Sequence, residues 1–329
     1  MNMNFDLQMF ASEVQTTAME GLTAEMKTFY DMTLIDEAGA NLVHDQFGQR
    51  RPIPANGGKI IEFRKFASLP KATTPLTEGV TPDGKSLSVT TVTATVNQYG
   101  DYITQSDVLE LTALDNTILE TTKVLGRQAG LTLDTVVRNV LHSGTNVTYC
   151  PKVVDGVETE VTSRSALGKD CQLTVDVVRQ VVAKLRAQNA PTINGKYVAI
   201  IHPSVSFDLR ESKGWIEAHK YAATTELFNG EIGELHGVRF VETNLAGIVK
   251  EGDVAVYQTM FFGKDAFGVI DPEGAGMETI IKDKGQIGGP LNQFSTIGTK
   301  FSMAAKILYP ERLLTLESLS SYSAIDEAN

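Results

Sequence analysis

Apolar residues recur along this chain with two different periods, and the switches between them lay out the elements. Over 23–36, Met26, Phe29, Tyr30 and Leu34 fall near one helical face, with Thr23 placed as a cap. The run Arg50-Arg51-Pro52-Ile53-Pro54-Ala55-Asn56-Gly57-Gly58 then interrupts any regular pattern. The period becomes two over Lys59–Phe66, where Ile61 and Phe63 lie opposite Glu62 and Arg64. It stays two over Ser88–Ile103, where Val92, Ala94 and Val96 alternate with Thr91, Thr93 and Thr95. Between these strands, 67–87 carries Pro70, Pro75, Pro82, Gly79 and Gly84. Pro82-Asp83-Gly84 is a turn signal, because proline presets φ and glycine permits positive φ. A connection of about twenty residues needs a reason in a compact domain. Strands with this much threonine bury little core of their own. The pattern therefore predicts a hairpin that projects from the body and is ordered by a neighbouring chain, with disorder as the alternative. The segment before it reads either as a loose tail or as an arm packed on another subunit.

Thr117–His142 has the strongest helical period, and at 1.5 Å per residue it spans roughly 39 Å. Ile118, Leu125, Ala129, Leu133, Val136 and Val140 fall within about 80° of arc, with Glu120, Lys123, Arg127, Asp134 and Arg138 opposite. Thr117 with Glu120 forms a capping-box pattern and Gly144 a stop. Gly126 and Gly130 each cost a helix about 1 kcal/mol relative to alanine, which predicts a close backbone approach on their side. Val153–Val157 reads as a tight hairpin. A second amphipathic helix follows Thr174, with Val178, Val181, Val182 and Leu185 inward, and ends near Asn189. Tyr197–Ile201 is a buried strand broken by His202-Pro203, with a helix from Ser204. Leu235–Glu242 and Asp253–Tyr257 read as further strands of an α/β unit. Phe301, Met303, Ala305, Ile307 and Tyr309 make 299–309 a long half-buried strand, with Arg312–Leu316 as its partner. The stretch after Leu319 is small and polar.

Composition narrows the function classes. The chain has 329 residues, 42% hydrophobic and 21% charged, as in ordinary globular proteins. Its formal net charge of −11 disfavours sequence-specific nucleic-acid binding, which needs clustered cations. The small clusters Arg50-Arg51 and Arg64-Lys65 lack interleaved aromatic residues. The first ten residues do not read as a signal peptide, and no apolar run approaches the ~18 residues of a membrane span. Cys150 and Cys171 have no metal spacing and read as free thiols of a reducing compartment.

Chemistry-bearing patterns are few. His44, His142, His202, His219 and His236 form no HxH or HExxH motif and read as structural or surface residues. Gly274-Ala275-Gly276 starts like a dinucleotide-binding loop, but position 279 is Thr and no clear helix follows. No paired carboxylates stand out, and Asn146-Val147-Thr148 is read as a chance sequon. No cofactor or metal is expected. An arm, an out-reaching hairpin, a long helix and an α/β unit suit a self-assembling structural protein better than an enzyme.

Several segments taken together resemble a known family. They are Glu25–Tyr30, Leu42–Gly48, Gly57–Phe63, Leu76–Pro82, Gln98–Tyr102, His202-Pro203, Asn229–Gly233, Gly237–Thr243 and Phe262–Ala266. Over roughly residues 20 to 317 the chain resembles the major capsid proteins of tailed double-stranded DNA bacteriophages, in particular the N4-type family with the HK97 fold. The resemblance implies an α+β class with an N-terminal arm at 1–56 and an extended hairpin loop at 57–103. It implies a peripheral domain at 104–172 around a spine helix at 117–142, and an axial α/β domain at 173–290. The segment 291–329 returns to the peripheral domain and ends in a C-terminal tail.

The function implied is mechanical: pentamers and hexamers tile an icosahedral head enclosing the genome, assembled in the bacterial host cytoplasm. Partners would be the chain itself, with portal, scaffold and decoration proteins as further candidates. Motif position marks Arg50, Arg51, Arg64, Lys65, Lys71, Glu78, Pro82, Asp83, Lys85, Arg127 and Arg138 as inter-subunit contacts. Some members cross-link a loop lysine to a distant asparagine. Lys71 and Lys85 are loop lysines here, but 299–309 holds no asparagine, so no cross-link is expected. With only about twenty residues before the matching region, a separate scaffold or none is expected. The alternatives are a cytosolic α/β enzyme and another phage structural component of the tail or surface.

Overall fold

The computed structural model describes residues 20–39, 42–52, 59–67, 69–81, 83–112, 117–154, 157–212, 214–216, 231–270, 277–284, 286 and 291–329. The arm before residue 20, Pro82, His219, Asn229-Gly230 and Gly274–Gly276 lie outside them. The elements begin with α1 (Glu20–Gly39), β1 (Gln49–Arg51), β2 (Ile60–Phe66), β3 (Val89–Thr95), β4 (Asn97–Ser106), α2 (Asp107–Thr112) and α3 (Thr117–His142). Next come β5 (Val147–Tyr149), β6 (Lys152–Val154), β7 (Val157–Thr159), α4 (Val175–Ala187), β8 (Tyr197–Ile201) and α5 (Pro203–Glu211). Then follow β9 (Glu231–Leu235), β10 (Val238–Glu242), β11 (Gly247–Glu251), β12 (Val254–Phe262) and β13 (Phe267–Ile270). The last are β14 (Glu278–Lys282), β15 (Phe294–Met303), β16 (Ala305–Ile307) and β17 (Leu313–Ser318). They divide into two compact units, 1–40 with 100–130 and 277–301, and the remainder of the chain.

In the first unit α1 packs on the N-terminal half of α3. Leu34, Leu125 and Ile297 are buried together, ringed by Ile118, Met277 and Ile281. The glycines of α3 set the distance between the helices. A Cβ at Gly130 would stand 2.4 Å from the Ala38 carbonyl oxygen, and one at Gly126 would stand 2.9 Å from that of Leu34. The close approach predicted from Gly126 and Gly130 is therefore present. Asp31 on α1 accepts from the Thr279 N–H at 2.7 Å, which ties the helix to a three-stranded sheet ordered β14-β15-β4.

The second unit is built on a seven-stranded mixed sheet ordered β5-β17-β12-β8-β10-β9, with β11 also on β12. All five residues of β8 and all six of β17 are buried. Such strands need cover on both faces and read as unbroken apolar runs. One face meets α4 and α5, through Val177, Val178, Val181, Val182, Leu185, Val205 and Leu209. Each fully buried aliphatic side chain contributes about 1.5–3 kcal/mol. Thr174 caps α4 by accepting from the Val177 N–H, as the pattern predicts; α5 starts at Pro203, one residue before the expected Ser204, and His202 caps it. On β17, Glu317 is fully buried and takes a two-point bond from Arg164, at 2.8 and 2.6 Å, with Gln258 donating as well.

The structure corrects four readings. Ser88–Ile103 is two strands that part at Val96: β3 pairs with β2, while β4 joins the sheet of β15. Leu235–Glu242 is a hairpin, not one strand. His236 and Gly237 turn with φ of 51° and 80°, the paired positive angles of a two-residue loop whose twist matches its strands. The strand at 299–309 breaks at Ala304, and β17 pairs with β12 and β5 instead of with it. Finally, Asp134 and Arg138 are buried, so the inner face in the second half of α3 runs through Leu133, Val137 and Leu141 and leaves Val136 and Val140 half-buried.

Gly130→Ala is expected to destabilise the protein by about 1–3 kcal/mol, because backbone atoms of α1 block the new methyl group. Gly39→Ala, on the same helix pair with nothing within 4 Å, is expected to gain up to about 1 kcal/mol. Urea titrations of both variants check the opposite signs.

Candidate functional site

The β2–β3 hairpin combines a firm base with an uncovered far end. Its register runs from Ile60 opposite Thr95 to Phe66 opposite Val89. Ile61, Phe63 and Ala94 are buried with Ala304 and Leu308, so the expected inner face is correct and has a small core of its own. The missing side chain of Gly268 admits the Phe63 ring, which a Cβ there would meet at 2.4 Å. Beyond Ala67, whose N–H reaches the Ser88 carbonyl, the described residues of the connection have no regular structure. Every described residue from 69 to 91 is exposed, including Leu69, Leu76, Val80 and Leu87. Exposed apolar residues spread along a long loop are a sign of an interaction surface.

The residues marked from the sequence separate into two groups. Arg64, Lys71, Glu78, Asp83, Lys85 and Arg127 are exposed, with Arg127 paired to Glu37 at 2.9 Å. Others are engaged within the chain. Arg50 pairs with Asp45 at 2.9 Å, and Arg51 lies 5.8 Å from the centre of the Phe63 ring. Lys65 sits over the Tyr309 ring at 4.6 Å and reaches Glu311 at 3.4 Å. Arg138 is 3% exposed and donates to the Leu245 carbonyl and the Asn139 side chain. Its marking as a contact with another copy is corrected accordingly, since its guanidinium is enclosed by its own fold.

Sequence reasoning missed two features. One is the outer face of α1, where Phe29, Met32 and Ile35 are exposed at helical spacing while Tyr30, Leu34 and Ala38 point inward. Placing Met26, Phe29, Tyr30 and Leu34 on one face hid the second stripe, to which the exposed Phe29 belongs. The other is a buried polar cluster on the C-terminal half of α3. Asp134 accepts from the N–H groups of Val43 and His44 and meets the His44 ring nitrogen at 2.7 Å. This carboxylate anchors the short turn His44–Phe47, a role that leaves no trace in periodicity. His142 is half-buried nearby, with both ring nitrogens covered and its ring against Gly247. Burial, then the charges of His44 and Arg138, push its pKa down to about 3.

Little in the geometry suggests catalysis. An open cleft of ≈ 520 Å³ is lined by Pro203, Ser206, Phe207, Arg210, Glu211 and Glu242. Glu242 accepts from Ser206 at 2.6 Å and stands 3.9 Å from Arg210, so its charged groups are matched to each other. Among the described residues no cluster of His, Cys, Asp and Glu could hold a metal ion, and no helix is long and apolar enough to cross a membrane.

A family model described as phage capsid protein matches residues 89–306. The capsid of Ralstonia phage GP4 is similar in structure with a TM-score of 0.66 at 14% identity, over 85% of this chain and 88% of that one. The capsid of cyanophage P-SCSP1u gives 0.60 at 14% identity, over 85% and 89%. Mycobacterium phage Che8 gives 0.56 at 15% identity, over 84% and 90%. No curated protein sequence matches the chain.

The His142 environment makes a pH prediction. The unfolded chain binds this proton near pH 6.5 and the folded chain only near pH 3, so stability is complete above 6.5 and falls as the pH drops toward 3. A His142→Phe variant should show a shallower acid loss in that window, by up to about 1.4 kcal/mol per pH unit. Denaturant titrations at several pH values check this, and equal slopes for variant and wild type would refute the placement of His142.

Proposed function

The chain belongs to the phage capsid protein family, has the HK97-like fold of phage shell subunits and plays a structural role in the virion; on that premise we propose that it is a major capsid protein of the N4 type, whose pentamers and hexamers tile an icosahedral head. The observation that carries this reading is the exposed 69–91 stretch on an anchored hairpin. A closed shell offers each copy several neighbours, and modest contacts add up when they are made many times.

The parts map onto the resemblance as an arm at 1–56, an extended loop at 57–103, a peripheral domain at 104–172 with its spine helix, an axial domain at 173–290 and a returning segment at 291–329. Arg64, Lys71, Glu78, Asp83, Lys85 and Arg127 are the exposed charges assigned to contacts between copies. Phe29, Met32 and Ile35 join them as apolar contacts. Portal, scaffold and decoration proteins are the further partners, and assembly takes place in the host cytoplasm. The shell encloses double-stranded DNA without reading its sequence, and a net charge of −11 disfavours adhesion of the genome to the wall. No cross-link through Lys71 or Lys85 is assigned.

The test is negative-stain electron microscopy with light scattering on the chain expressed alone and with its neighbouring head genes. Shells or five- and six-fold rings are expected. Replacing 69–87 by a short Gly-Ser linker should abolish closed shells while leaving the circular dichroism spectrum of the subunit unchanged. A small oligomer under every condition, indifferent to the loop, would overturn the reading.

A further inference from the structure

Two buried thiols share one position of the seven-stranded sheet. In the parallel pairing of β5 with β17, Tyr149 stands opposite Glu317, and the next residue, Cys150, donates its N–H to the Glu317 carbonyl at 2.9 Å. The chain then leaves the sheet edge at Pro151. It returns with Gln172 opposite Leu319, again parallel, and the Cys171 carbonyl accepts from the Leu319 N–H at 2.9 Å. A single residue facing Ser318 in an unbroken strand would make both bonds. Here Cys150 makes one and Cys171 the other, so both stand opposite Ser318. Side chains alternate along a strand, which puts this position on the face of Leu314 and Leu316. Both cysteines are 0% exposed in the same core cluster as those leucines. Two residues opposite one strand position have no offset along the strand, which is the arrangement that the roughly 4–7 Å Cα separation of a disulfide needs.

We propose that Cys150 and Cys171 are a disulfide site, free while the subunit folds and joined when the protein meets an oxidising medium, which staples the excursion 151–170 to the sheet edge. The site follows from the sheet register alone; only the timing, reduced during assembly and oxidised outside the host, rests on the capsid reading. Both thiols are free in this structure. The excursion carries the β6–β7 pair and is fastened by Arg164 on Glu317. Its transient lifting gives a small oxidant access. The oxidant is a low-molecular-weight disulfide such as oxidised glutathione. Cys171, whose sulfur accepts from the Gly168 N–H at 3.3 Å, loses its proton and attacks one sulfur of the oxidant, expelling a thiolate. Cys150 then loses its proton and attacks the sulfur of Cys171, expelling the second thiolate. Two S–H bonds become one S–S bond, and the oxidant leaves as two thiols carrying the two protons. Burial, with the Cys171 sulfur adding to it, pushes the Cys150 thiol up, so this second step is slow until the excursion opens.

The test treats free subunits and assembled particles separately with oxidised glutathione, with and without mild urea, followed by alkylation and digestion without reductant. The expected result is a peptide pair joining Cys150 to Cys171, an intact mass lower by two hydrogens, and slower proteolysis within 151–170 that dithiothreitol reverses. Urea should speed the reaction, and the Cys150→Ala/Cys171→Ala variant should show no redox dependence of proteolysis. Glutathione adducts without the linked pair, links between copies, or thiols that remain free in urea would each overturn the proposal. Free subunits give this readout whether or not shells form, so a failure of the capsid reading is seen separately in the microscope.

Discussion

Ordering a long loop costs about 1–2 kcal/mol of backbone entropy per residue, and burial must offset that cost. Between 69 and 91 this chain offers no such burial among its described residues, although Leu69, Leu76, Val80 and Leu87 lie there. The hairpin beneath is firmly seated by Ile61, Phe63 and Ala94 against Ala304 and Leu308, with Lys65 over Tyr309 at its edge. A rigid base under an uncovered end makes sense when other copies supply the missing surface. The remaining features answer to the same need. The outer stripe of α1 is a second uncovered apolar face.

Local periodicity made much of this legible. The limits of α3, the inward residues of α4, the buried strand at Tyr197–Ile201 and the inner face of β2 follow from spacing, because each depends on residues a few positions apart. Gly126 and Gly130 announced a neighbour because glycine inside a helix needs a compensating reason. What spacing missed is non-local. Nothing near Val96 says that β3 and β4 belong to different sheets, and nothing near Arg312 says that β17 pairs with β12. Asp134 and Arg138 look like outer-face residues until the backbone of Val43 and His44 and the carbonyl of Leu245 are placed beside them.

The candidate site was half legible for the same reason. A loop rich in proline and glycine identifies itself, so Lys71, Glu78, Asp83 and Lys85 were correctly expected on an exposed stretch. Whether a cation serves its own fold or another copy depends on its tertiary neighbours. Lys65 meets Tyr309 and Glu311, and Arg138 meets Leu245, across long sequence separations that no motif encodes. The family resemblance supplied what periodicity could not, by joining weak segments into one pattern, and the match over 89–306 agrees with its broader part, a phage capsid protein.

If neighbouring copies order the loop, amide hydrogen exchange over 69–87 differs between free subunits and assembled shells. Exchange is expected close to the unprotected rate in subunits and strongly slowed in shells, with β2 and β3 protected in both. Slow exchange in free subunits, or fast exchange that persists in closed shells, would contradict it.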